Sequence, residues 1–174
     1  MSRELTLRRR IKILTWLFIV GLVLGGVTAI PLDSEVAWLV DVTGADSATF
    51  PPGTPKPAWA LWLARINSAL QETAARRSFL FYGTDWLAFG HFAIAVAFFG
   101  AVRDPLRNRW LFDFGLIACA LVVPYALIFG AIRGIPLWWR LIDCSFGVVG
   151  FVPLWFCRAW SQELEPSASI RQRT

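Results

Sequence analysis

Along this chain the apolar positions gather into blocks, and the polar ones into seams between them. Residues 11–30 ("IKILTWLFIVGLVLGGVTAI"), 84–102, 110–132 and 137–160 are almost continuously apolar. Each is about 20 residues long, the length that carries a helix across a bilayer. A segment in hydrocarbon must satisfy its own backbone N–H and C=O groups, so a single unbroken run predicts a helix rather than a strand. The pattern therefore predicts an all-α integral membrane bundle of four transmembrane helices, with residues 11–160 as one domain. Residues 1–10 form a basic segment before it and 161–174 a polar tail behind it. A basic start and an apolar run also fit a secretory signal. This run exceeds a usual signal core, and no small-residue cleavage pattern follows it before Pro31, so a retained helix is expected.

The seam 31–83 is long enough for elements of its own. "PLDSEVAWLVDVTG" predicts a short helix between an N-cap at Asp33 or Ser34 and a stop at Gly44. Prolines at 51, 52, 55 and 57 exclude a regular element there. Over 58–77, Trp59, Trp62, Leu63, Ile66 and Leu70 recur on one side of a helix, with Arg65, Ser68, Glu72 and Arg76 on the other. That amphipathic helix suits a water–lipid boundary or packing on neighbouring helices. Gly21 and Gly25, and the stripe Gly90, Ala93, Ala97, Gly100, carry the spacing that lets membrane helices approach closely. Pro124 predicts a kink or a freed carbonyl in the third span. Trp138 and Trp139 sit where an interfacial belt is expected.

Composition agrees with this class: 56% of residues are hydrophobic and 17% charged, against about 25% charged in soluble domains. A net charge of +5 would point a soluble protein towards nucleic acid. Here the arginines flank apolar blocks and no nucleic-acid motif accompanies them, so no nucleic-acid partner is expected. The lipid bilayer is the expected partner, with a second copy or another membrane protein beside it. With four spans, eleven of the 17 basic residues fall on the side of the N-terminus, the 103–109 turn and the tail. That imbalance predicts both termini in the cytoplasm and 31–83 outside. Cys119, Cys144 and Cys157 lie in apolar segments without a CxxC pair, and are expected as packed thiols.

The candidate chemistry is sparse. His91, the single histidine, lies inside the second span, and Asp143 lies inside the fourth. Counted from the outer ends of their helices, both sit about 10 Å deep, which predicts that they pair across the bundle. Arg140, three residues before Asp143, shares its face and is expected to complete a triad. Asp85, six residues before His91, is rotated onto a different face, because each residue turns the helix by about 100°. Asp85, His91, Arg133, Arg140 and Asp143 together form a candidate polar pocket. Its other reading is a clamp that holds helices together. Asp113 has Arg107 and Arg109 close in sequence, and a structural salt bridge is expected there.

Known chemistries do not fit these residues. The sequence offers no catalytic residues, no metal-ligand cluster and no nucleophile elbow, and it implies no particular cofactor. One histidine and an initiator methionine exclude bis-histidine and His/Met haem ligation within the chain. A non-enzymatic accessory or interaction component is therefore the expected function. The alternatives are a small proton-coupled transporter or channel subunit, and a membrane enzyme acting on a lipid or quinone at the outer boundary.

The segments "FYGTDWLAFGH", "RDPLRNRW" and "RGIPLWWRLIDCSFG" lie between residues 79 and 160. Through them the chain resembles a group of small bacterial inner-membrane proteins with no assigned function. The resemblance implies a membrane protein with four spans, and carries no activity, cofactor or catalytic residue with it.

Overall fold

A computed structural model describes residues 2–45 and 55–171, and the side chains of 3–45 and 55–164. The described chain is helical: α1 (Ser2–Ala29), α2 (Leu32–Thr43), α3 (Ala58–Arg77), a 3-10 turn (Ser78–Phe81), α4 (Tyr82–Arg103), α5 (Trp110–Ile132) and α6 (Leu137–Arg171). Four helical runs are long and apolar enough to cross a membrane: Arg3–Ala29, Ala58–Arg103, Trp110–Ile132 and Leu137–Leu164. This is an all-α, multi-pass membrane protein. α1 starts well before the apolar block, because "RELTLRRR" contains strong helix formers and Arg8 bonds Glu4 one turn away at 3.1 Å. α6 likewise continues through the polar tail to Arg171, where "SQELE" favours helix over an irregular end.

The chain divides into two compact units, Met1–Leu22 with Ile94–Thr174, and Val23–Ala93. In the first unit each helix turns one stripe inwards. α1 contributes Leu7, Ile11, Thr15 and Ile19, four residues apart; α4 contributes Ala95, Phe98 and Ala101; α5 contributes Leu111 and Phe112; α6 contributes Leu154, Cys157 and Leu164. The opposite sides carry exposed Leu17, Val20, Ile117, Leu121, Val148 and Val149, the surface that hydrocarbon covers. Lipid is as apolar as these side chains, so close packing rather than burial from water holds the helices together. Gly147 shows this at the α5–α6 crossing. A Cβ there would stand 2.6 Å from the Cys119 backbone oxygen, so only glycine admits the contact.

Among the described residues, two fully buried hydroxyls find their partners within that interior. Thr15 Oγ1 donates to Ile11 O at 2.8 Å and Ser161 Oγ to Cys157 O at 2.7 Å, each one turn back on its own helix. Cys157 Sγ reaches Ile11 O at 3.6 Å and ties α6 to α1. All three cysteines are free thiols, with Cys144 and Cys157 buried. Asp104 shapes the α4–α5 turn: its Oδ1 accepts from the Leu106 and Arg107 amides, both at 3.1 Å. Asn108 Nδ2 donates to Gly100 O at 2.9 Å, so this end of the small-residue stripe faces the chain's own turn. α5 runs on through Pro124, whose missing N–H leaves the carbonyl of Ala120 without its helical donor.

In the second unit α2 and α3 form a helical hairpin. Val36 and Val40 of α2 and Ala60 and Leu63 of α3 are buried, and Gln71 Nε2 donates to Asp33 O at 3.2 Å. The apolar side of α3 is thus used partly for packing, while Trp59 at 39% and Leu61 at 55% stay exposed. α2 begins at Leu32, so Asp33 and Ser34 lie inside its first turn and neither caps it. Pro31 supplies the first acceptor, to the Glu35 amide at 2.9 Å, and Asp33 and Glu35 complement the helix dipole. Gly44 ends α2 as expected, in the left-handed conformation at φ 64°. The proline-rich break lies mostly in 46–54, outside the described residues; 55–57 have no regular structure. At the other end of this unit α1 meets α4 over Gly26. A Cβ on Gly26 would stand 2.6 Å from the Phe92 ring and 3.1 Å from Ala88 O. The close approach therefore centres on Gly25 and Gly26, and Gly21 has open space around it.

Candidate functional site

His91 and Asp85 occupy different sides of α4. The imidazole Nδ1 of His91 lies 2.8 Å from Leu87 O, one turn back on the same helix. A carbonyl can only accept, so Nδ1 carries the proton in this bond and a neutral ring presents Nε2 as an acceptor. That edge of the ring rests on α1: a Cβ on Gly25 would lie 3.4 Å from Cδ2 and 3.5 Å from Nε2. Gly25 is the space that the imidazole fills. Asp85 is exposed instead, and lines an outward groove with Tyr82, Trp86 and Phe89.

The other three candidates belong to the α5–α6 hairpin of the first unit. Arg140 does not complete a triad with Asp143. Its Nη1 donates to Leu127 O across the hairpin at 3.1 Å, and its stem lies over Gly130, packed against the position a Cβ would take. The aliphatic part packs while the head reaches a carbonyl near the helix end, so the one-turn spacing to Asp143 goes unused. Arg140 Nε is buried without a hydrogen-bond partner. Asp143 is half-buried and lines a groove of about 430 Å³ with Ala118, Leu121, Val122, Tyr125 and Ala126. Arg133 is exposed just past the end of α5. His91 and Asp143 fall in different compact units.

One ion pair between α5 and α6 is one that sequence spacing missed. Asp113 takes its salt bridge from Arg158 of α6, Nε to Oδ1 at 2.5 Å, rather than from Arg107 or Arg109. Arg107 follows the turn and donates its amide to Asp104, whereas Asp113 lies one turn into α5 and faces α6. The side chains are 21% exposed for Arg158 and 46% for Asp113, and Arg158 Nη1 is buried without a partner. Both line a notch of about 230 Å³ with Leu116, Trp155, Ala159 and Gln162. The available signal was arginine in an otherwise apolar helix, since a charge at that depth requires a partner. The partner's identity depended on how α5 and α6 pair.

Around this end of the first unit the charged groups form further links. Arg3 pairs with Glu163, and the Arg10 guanidinium lies 5.8 Å from the centre of the Trp160 ring. Among the described residues no three His, Cys, Asp or Glu side chains converge on a metal-sized site. No protein-family model, curated protein or solved structure matches the chain.

Proposed function

We propose that this chain is a non-enzymatic accessory or interaction component of a bacterial inner membrane, with both termini cytoplasmic and α2 and α3 on the outer side. The observation that supports it best is the use made of charge within the spans. Asp113–Arg158 and Arg140–Leu127 O each join α5 to α6, and the stem of Arg140 fills the space over Gly130. These are bonds that fix a helix pair. The wide apolar faces of α5 and α6 outside that contact are the surface on which lipid or another membrane helix packs. The excess of arginine on the side of the termini supports the orientation.

The test is a pull-down of the full chain in mild detergent, with mass spectrometry of what stays bound. It is paired with proton-flux measurements on the purified chain in liposomes. The expected result is one membrane protein, or a second copy, recovered in stoichiometric amount, and flux at the level of empty liposomes. A chain that purifies alone and moves protons across the bilayer overturns the reading in favour of a transporter.

A further inference from the structure

The first turns of α4 carry four side chains that neither clamp a helix nor fill a core. Tyr82, Asp85, Trp86 and Phe89 stand at i, i+3, i+4 and i+7, one stripe of the helix, and line a shallow cavity of about 250 Å³. The rings are set edge to face. Tyr82 and Trp86 are 5.9 Å apart at 88°, and Trp86 and Phe89 are 5.4 Å apart at 83°. Tyr82, Trp86 and Phe89 are 62%, 56% and 58% exposed, and Asp85 is exposed between them.

A plainer account divides these residues between two ordinary jobs. The aromatics would be interfacial anchors, and Asp85 a first-turn acid that complements the helix dipole. That account leaves their shared cavity unexplained, and it asks more of Asp85 than this helix end needs. α4 follows the 3-10 turn without a break. The Tyr82 amide points back to Phe79 O and Leu80 O, and Thr84 Oγ1 donates to Phe81 O. The helix end carries about half a positive charge, so a full carboxylate charge outweighs it. The ring faces add negative potential of their own.

The ligand that complements such a groove is a compact organic cation, held by a carboxylate and by aromatic faces. Phosphate or carboxylate would meet repulsion, and a purely apolar ligand would strip water from Asp85 without replacing it. The groove opens outwards where the apolar part of α4 begins, beside exposed Leu80 and Leu87. At that level a bilayer presents headgroups. We infer that Tyr82, Asp85, Trp86 and Phe89 form a binding site for an alkylammonium group, presented by the headgroup of a zwitterionic phospholipid. This site stands whether or not the chain is an accessory component.

The experiment uses the full chain in maltoside micelles. Phosphatidylethanolamine, phosphatidylcholine and phosphatidylglycerol with identical acyl chains are offered at equal mole fraction, and native mass spectrometry reads the lipid retained. The two ammonium lipids are expected to be retained over phosphatidylglycerol. Asp85→Asn should lower that preference by about fivefold, the upper range for a partly exposed ion pair. Trp86→Leu should lower it by about threefold, as for an exposed cation–π contact. Asp85→Glu should keep most of it, and Trp110→Leu, at an exposed tryptophan elsewhere on the surface, should leave it unchanged. Tetramethylammonium chloride should compete with retained phosphatidylcholine.

Equal retention of phosphatidylglycerol, or a preference that Asp85→Asn leaves intact, overturns the site. An equal loss in Trp110→Leu overturns it as well, because the preference would then belong to the whole lipid annulus. Tetramethylammonium binding to the lipid-free chain without any retention of ammonium lipids overturns the headgroup as the source.

Discussion

Replacing Asp113 by leucine removes the carboxylate that holds Arg158 to α5, and the two partners differ in what they then lose. The Arg158 side chain is 21% exposed and its Nη1 already lacks a partner, so the variant leaves a guanidinium with two unmet donors beside hydrocarbon. A fully buried survivor costs about 3–5 kcal/mol. Arg158 can still swing its head towards the Gln162 notch, so about 2 kcal/mol is expected here. Arg158→Leu leaves Asp113, which is 46% exposed and can be hydrated, at a cost of about 1 kcal/mol. Losing both charges strips two groups of their desolvation cost, and the double variant should be no less stable than Asp113→Leu alone. The coupling is then about 1 kcal/mol, within the range for interhelical polar pairs in membranes. Reversible unfolding in mixed detergent micelles, run as a double-mutant cycle, measures it. A charge swap, Asp113→Arg with Arg158→Asp, should recover part of the loss. Single-variant effects that add to within about 0.3 kcal/mol, with Asp113→Leu no worse than Arg158→Leu, would refute the clamp.

Further expectations follow from the close contacts and the orientation. Gly147→Ala drives a methyl into the Cys119 carbonyl and should lower stability by about 2 kcal/mol, whereas Gly90→Ala, with open space around it, should be neutral or stabilising by the same unfolding assay. Gly25→Leu should displace the imidazole of His91, read as a changed His91 ring resonance in NMR of the chain in micelles; an unchanged resonance would mean that the ring does not rest on Gly25. Reporter fusions at Gly53 and at Thr174 should report opposite sides of the membrane, outer and cytoplasmic respectively. A cytoplasmic signal at Gly53 would reverse the proposed orientation.

The fold was legible because hydrocarbon imposes one rule on every span. Apolar runs of sufficient length must be helices, and the arginine seams mark where they end, so α5 at Trp110–Ile132 has the bounds its hydrophobic block predicts. Ends in water follow local propensity instead, which is why α1 extends back to Ser2 and α6 on to Arg171. Pairings across helices were less legible. Asp113 has two arginines close in sequence and bonds a third 45 residues away, because turning on α5 points it at α6 and not at the preceding turn. Arg140 and Asp143 share a helix face, yet the long Arg140 side chain, lying over Gly130, bonds the Leu127 carbonyl of the neighbouring helix. Spacing identifies which residues share a face. What that face meets is set by packing, and packing here turns on single glycines.

His91 carries the same lesson furthest. Its place in a span suggested a charged partner at equal depth, on the premise that an ionisable group left alone in hydrocarbon is costly. The ring turns its Nδ1 towards Leu87 O, a carbonyl of its own helix that already serves the ladder and has a second lone pair to offer. One donor is thereby satisfied without any carboxylate. What the ring still needs is room, and Gly25 provides it. Asp143, acceptor-only when ionised, has no such recourse to a backbone carbonyl and opens onto a groove of about 430 Å³ beside Tyr125. The histidine is thus accounted for by its own helix and one glycine.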